Sequence, residues 1–203
     1  MTRFWLIRHA LVEENARARL YGVQDVPLCP DTLLSEEPLY RALAARLPRP
    51  ATWLVTPLSR TRLTAEAVFA GGYPPEPLHV EPGLIEQDLG RFQGVTHADL
   101  PPMLTRPAHP FWPLGADEVP PGGESFSTVV SRVGETMERL AQAHEGDVVA
   151  VSHGGAIRAA VAHALGISAR NALHLSVHNI SLTRLDREPA GWRVVWVNEA
   201  PGI

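Results

Sequence analysis

The chain contains no lysine: all 18 of its basic side chains are arginine. That absence excludes a Walker-type phosphate loop, a Schiff-base lysine and a Ser-Lys dyad, because each needs the amine. Any anion site must then be built from guanidinium forks, backbone N–H groups or imidazoles. Codon bias accounts for the missing lysine and fits the richness in Ala and Pro. Cysteine is nearly as scarce. The single Cys29 cannot staple the fold, which points to a reducing, cytoplasmic setting. Nor is Cys29 a tyrosine-phosphatase nucleophile, since that loop needs Arg six positions on, where Ser35 stands. There is no apolar run of about 18 or more residues, so no transmembrane helix is expected. The opening Met-Thr-Arg-Phe-Trp-Leu-Ile-Arg is charged again by Arg8 and reads as a strand, not a signal peptide. The formal charge of -4 argues against general affinity for nucleic acid or a membrane surface.

What is present suits one globular domain over residues 1–203, with 45% hydrophobic residues to fill a core. Three short apolar runs, Phe4–Ile7, Thr52–Val55 and Val148–Val151, read as buried strands of a covered sheet. Helical patterns follow at Leu39–Leu47, Arg60–Phe69 and Gly155–Leu165, the last stopped at Gly166. Another lies between Glu124 and His144, where Phe126, Val129, Val130, Val133, Met137, Leu140 and Ala141 mark one apolar face. Strand-like runs at Leu173–Val177, Ser181–Leu185 and Trp192–Val197 close the chain. Alternating strands and helices predict a three-layer α/β/α sandwich with a mainly parallel central sheet. The proline-crowded segment from about 95 to 122 breaks this rhythm and reads as a small irregular insertion or lid.

The first strand ends in Arg8-His9, the second leads into Thr56-Pro57-Leu58-Ser59-Arg60, and the third into Ser152-His153-Gly154-Gly155. Ligands of an open parallel sheet bind outside the carboxyl ends of its strands. A single histidine at a strand end is usually a structural hydrogen-bonder. Two histidines and two arginines delivered to one rim by three strands point instead to anion chemistry.

These residues fall in blocks. Arg8-His9-Ala10-Leu11-Val12 is followed by Asn15, Arg19, Tyr21-Gly22, Asp25 and Pro27-Leu28. Thr56-Pro57-Leu58-Ser59-Arg60 is followed by Thr64-Ala65. Then come Leu84, Glu86, Gly90 and Phe92-Gln93-Gly94; Pro121-Gly122-Gly123-Glu124-Ser125; the run Val151 to Arg158; and Asn179 with Ser181. In order and spacing, over nearly the whole chain, they resemble the blocks of the histidine phosphatase (phosphoglycerate mutase-like) superfamily.

The resemblance implies that His9 is the nucleophile, transiently phosphorylated as a neutral imidazole. It implies that Arg8, Arg60 and His153 bind the phosphoryl oxygens, with Asn15, Tyr21, Gly22 and Gly154 in the substrate site. Glu86 would be the general acid and then the base that activates water. Neither a metal nor a cofactor is expected; the partner is a small phosphorylated metabolite, and inorganic phosphate is released. Two departures bear on activity. Ala10 stands in place of Gly, tolerable if its φ is negative, and Leu11 replaces an acid or amide, which suggests an apolar wall. A non-catalytic phospho-ligand binder is therefore one alternative. Phosphoglycerate mutase is another, but mutases resemble longer chains with paired lid arginines, where residues 95–122 offer only Arg106. Hydrolysis is favoured, with α-ribazole phosphatase the specific expectation from size and motif order. Glu124 is a possible second acid, more simply read as a first-turn carboxylate of its helix. Arg62 reads as a solvated helix residue. His174 and His178, if on one strand, lie about 13 Å apart and cannot share an ion.

Overall fold

From its N-terminus the chain runs through β1 (Thr2–Arg8), the short helices α1 (Glu14–Arg17) and α2 (Pro30–Ser35), then α3 (Glu37–Arg46) and β2 (Thr52–Val55). There follow α4 (Ser59–Ala70), β3 (Leu78–Val80), α5 (Phe126–Ala143), β4 (Gly146–Ser152) and α6 (Gly154–Leu165). A turn of helix, α7 (Ala169–Ala172), and the hairpin β5 (Leu182–Glu188) and β6 (Gly191–Glu199) complete it. This computed structural model describes residues 1–202.

The strands form one sheet in the order β3-β2-β4-β1-β5-β6. The first four are mutually parallel, and β5 and β6 continue the sheet antiparallel. Successive residues of β1 point to opposite faces, as the period of a strand requires. Phe4 and Leu6 pack with Phe126, Val133, Met137 and Ile157 from α5 and α6. Trp5 and Ile7 pack with Tyr40, Leu43, Ala65 and Val68 from α3 and α4. Helices thus cover both faces, giving the three-layer sandwich expected. Full burial of each such side chain is worth about 1.5–3 kcal/mol, so the two apolar faces of the central strands hold the layers together.

Local signals set the helix ends. Ser125 caps α5, its hydroxyl accepting from the Thr128 amide, and Gly166 closes α6 in the left-handed conformation. Segment 95–122 carries one short 3-10 turn, Pro101–Met103. It is not loose, because Leu100 and Leu114 pack with Leu20, Leu89 and Phe92 in a small core of their own.

One expected strand is absent. Leu173–Val177 follows α7 as a turn. Its carbonyls go to guanidinium groups instead of a ladder: Leu175 O accepts from Arg158 Nε at 2.7 Å and Val177 O from Arg8 NH1 at 2.5 Å. His174 and His178 therefore do not lie on one strand. Among the described residues, no group of three or more His, Cys, Asp and Glu side chains is placed to hold a metal ion. Likewise among those residues, no helix is long and apolar enough to cross a membrane.

Candidate active site

Parallel pairing places Arg8 opposite Ser152, so the residues that follow, His9 and His153, leave the sheet side by side. The His9 amide donates to Ser152 O at 2.9 Å, and the two rings meet edge to face with centroids 5.2 Å apart. Both imidazoles are buried. The pKa of His9 is held well below the usual range, first by burial and then by Arg60 and Arg8. That of His153 is lowered likewise by burial, Arg60 and His9. Both rings are therefore neutral at neutral pH.

His9 Nδ1 lies 2.7 Å from Ala10 O. A carbonyl only accepts, so Nδ1 carries the proton and Nε2 keeps its lone pair. The backbone around this ring is fixed from three sides. Ala10 N donates to Thr64 Oγ1 at 2.9 Å, Asn179 Nδ2 donates to His9 O at 2.7 Å, and Ile180 N donates to Arg8 O at 2.9 Å. Ile180 adopts φ 62°, a conformation a β-branched residue holds only under constraint, at the turn that presents Asn179. Ala10 is not among the positive-φ residues, and its methyl is buried in the core beneath α4. The departure from glycine is accommodated.

His153 Nε2 is 2.9 Å from Thr56 Oγ1, and its Nδ1 accepts from Arg60 Nε at 3.4 Å. Arg60 is fully buried. Its NH1 donates to Gln24 O at 2.7 Å and its NH2 to Gly22 O at 2.8 Å, and the guanidinium lies over the Tyr21 ring. Three of five donors are thus taken, leaving one N–H on each terminal nitrogen. Gly22 has φ 43°, and a Cβ there would approach Gln87 O to 2.7 Å, so the turn admits only glycine. Arg8 keeps a buried Nε without a partner. A second unpaired donor, Arg158 NH1, flanks the same backbone: a Cβ at Gly154 would lie 3.1 Å from it and 3.3 Å from Arg8 Nε.

Glu86 faces this group from the loop before α5. Its Oε2 accepts from Gly155 N at 3.0 Å, at the start of α6, and its Oε1 from Gln87 N at 3.0 Å. A cavity of about 240 Å³ opens above, lined by Arg8, Tyr21, Gly22 and Glu86 together with Arg17, Arg19, His97 and Trp112. A larger cavity of about 670 Å³ lies within segment 95–122 beside Arg106 and His97, and His9, His153 and Glu86 do not line it.

Of the expected site residues, Arg8, Tyr21, Gly22 and Glu86 line the cavity, His9, Arg60, His153 and Gly154 are buried and do not line it, and Asn15 stands apart. Asn15 sits exposed on α1 and does not line the cavity; Leu11 does not line it either. Thr56, Thr64, Asn179, Arg158 and Trp112 are supporting groups that sequence reasoning gave no site role. Arg158 and Asn179 stood in recognised blocks, whereas nothing in the proline-crowded segment marked Trp112, whose ring lies over the Arg158 guanidinium with its centroid 4.7 Å away. Glu124 precedes the cap Ser125, so it is not in the first turn of α5 as expected, and it is paired instead with Arg132 at 2.8 Å.

A neutral imidazole under guanidinium groups, at the carboxyl rim of a parallel sheet, suits an enzyme that moves phosphoryl groups on histidine. The chain belongs to the histidine phosphatase superfamily (branch 1), whose family model matches residues 4–200. It is 30% identical to the probable phosphoglycerate mutase GpmB of Serratia proteamaculans, over all of this chain and 93% of that protein. The mycobacterial glucosyl-3-phosphoglycerate phosphatase solved with VO3 superposes with TM-score 0.81 at 27% identity, covering 97% of this chain and 98% of that one. The α-ribazole phosphatase of Shigella flexneri superposes with TM-score 0.75 at 23% identity over 98% and 96% of the two chains, a likeness of fold alone.

Proposed function

We propose that this protein is a phosphomonoesterase that hydrolyses a small phosphorylated metabolite through a phosphohistidine on His9. The observation that carries this reading is the His9 Nδ1–Ala10 O hydrogen bond, which leaves a neutral Nε2 lone pair free for attack. In the first step the Nε2–P bond forms as the ester P–O bond breaks, and Glu86 gives its proton to the departing oxygen. Arg8 and the two remaining N–H groups of Arg60 receive the phosphoryl oxygens as charge spreads over them. His153 donates to a third oxygen through Nδ1–H, giving up its resting bond from Arg60 Nε while Nε2 accepts from the Thr56 hydroxyl. The Thr56 hydroxyl both donates and accepts, so it supports either tautomer of His153. In the second step Glu86, now a carboxylate, takes a proton from water as that water attacks phosphorus. The Nε2–P bond breaks, inorganic phosphate leaves, and His9 is free again. The guanidinium groups supply the positive charge and the neutral imidazoles the nucleophile and a hydrogen bond, so no step requires a metal or cofactor.

Tyr21, Gly22 and the segment 95–122, through His97 and Trp112, shape the alcohol side of the substrate. Within the class, α-ribazole phosphate is the specific expectation from chain size and motif order. The Serratia relative favours one second reading, a phosphoglycerate mutase, against which stands the single Arg106 of the lid segment. Rapid quench during turnover of p-nitrophenyl phosphate in EDTA tests the proposal. Acid-labile, alkali-stable phosphate should appear on the protein and vanish, with activity, in His9→Ala. An active His9→Ala enzyme, or no activity in any phosphoester panel, would sink it, the second outcome leaving a phospho-ligand binder. Interconversion of phosphoglycerates with a bisphosphoglycerate primer would establish the mutase instead.

A further inference from the structure

We propose that Arg132 is the positioning residue for the proton donor: it clasps the loop carrying Glu86 to the start of α5 and so sets where that carboxylate stands. The inference rests on the reading of Glu86 as general acid. Arg132 projects from the second turn of α5, and all five of its N–H groups find acceptors. NH1 donates to Gly83 O at 2.9 Å and Ile85 O at 3.2 Å. NH2 donates to Glu86 O at 3.4 Å and Glu124 Oε1 at 2.8 Å, and Nε to Glu124 Oε2 at 3.3 Å. One planar fork thus holds three carbonyls of a four-residue stretch, Glu86's own among them. A lysine, with three donors on one atom, cannot reproduce that pattern.

Glu124 makes the clasp two-sided. Its Oε1 also accepts from Asp88 N at 3.1 Å, its amide donates to Asp88 O at 2.9 Å, and its carbonyl accepts from Gln87 Nε2 at 2.9 Å. The backbones here touch so closely that a Cβ on Gly123 would meet Asp88 O at 2.4 Å, and one on Gly90 would meet Pro121 O at 2.4 Å. The Pro121–Ser125 and Leu84–Gly94 blocks are therefore one mechanical unit, with Arg132 as its pin. Among the described residues, the Glu86 carboxylate itself is held only by Gly155 N and by the amide of its own neighbour Gln87. Its distance from the leaving oxygen follows from where the clasped backbone lies, and a displacement of about 1 Å at a reacting group costs about 10²-fold.

The test is the ratio of kcat/KM for a simple alkyl phosphate to that for p-nitrophenyl phosphate, whose leaving group departs without a proton. Arg132→Met should lower the alkyl value by about 10²-fold and the aryl value by less than about threefold, while the melting temperature reports folding separately. Combined with Glu86→Gln it should change that ratio no further, since both act through one proton. Arg132→Lys should show the same selective loss, in smaller degree, and carries the test if Arg132→Met does not fold. Equal losses on both substrates, or no loss on either, while Glu86→Gln alone remains selective, would overturn the proposal for Arg132 and leave Glu86 as donor. An unselective Glu86→Gln would remove Glu86 as donor, and the role of Arg132 with it.

Discussion

Gly155 and Glu86 approach so closely that a methyl at 155 would lie 2.2 Å from Glu86 Oε1. The glycine that opens α6 is thus a complement to the carboxylate as well as a donor to it. Gly155→Ala should fold, because alanine favours helix more than glycine does, but it should push Glu86 aside. The expected result is a fall of about 10²-fold in kcat/KM for alkyl phosphates, with p-nitrophenyl phosphate far less affected. Equal activity on alkyl phosphates would show that Glu86 does not act from this position.

The two buried histidines make stability depend on pH. In the unfolded chain each takes up a proton near pH 6.5, while in the folded protein both are held well below that by burial and the neighbouring arginines. Below pH 6.5 the unfolded state therefore binds more protons. Stability should fall as pH drops from about 6.5 towards the folded values, by up to about 2.7 kcal/mol per pH unit for the pair. Urea unfolding across this range should show a shallower slope for His9→Gln, which removes one of the two protons. Identical slopes would mean that His9 is not held neutral.

An anion seated among Arg8, Arg60, His9 and His153 reverses that penalty, because it favours the protonated imidazoles. Vanadate or inorganic phosphate should inhibit competitively in EDTA and bind more tightly as pH falls below neutrality. At a hundred times its Kd it should add about 2.7 kcal/mol of stability by mass action. Loss of activity in EDTA, restored by a divalent ion, would contradict a site that relies on guanidinium charge.

Asn15 and Trp112 invert what their places in the sequence suggest. Asn15 stands in a recognised block yet lies exposed and outside the cavity, whereas Trp112, from the irregular segment, lines it. Asn15→Ala should leave kcat/KM within about twofold of the native enzyme, as expected for a surface change away from the site. Trp112→Ala should raise KM for the physiological class of ester while sparing phosphohistidine formation from p-nitrophenyl phosphate. A large loss in Asn15→Ala would mean that α1 folds over bound substrate.

By itself the sequence determined the layers and the rim. Short continuous apolar runs and stripes at period 3.6 are local patterns, and they mark the central strands and the four long helices because burial selects them residue by residue. Placing His9, Arg60 and His153 beyond strand ends needed only those patterns and the rule that parallel strands open a site at their carboxyl edge. What the tertiary structure decided is where polar groups find partners. Leu173–Val177 has the look of a strand, yet its carbonyls serve Arg8 and Arg158, residues remote in sequence. Glu124 carries the mark of a first-turn carboxylate, but only the fold brings Arg132 and the Glu86 loop against it. A hydrogen bond is satisfied by whatever distant group the packing delivers, and no local period records that delivery.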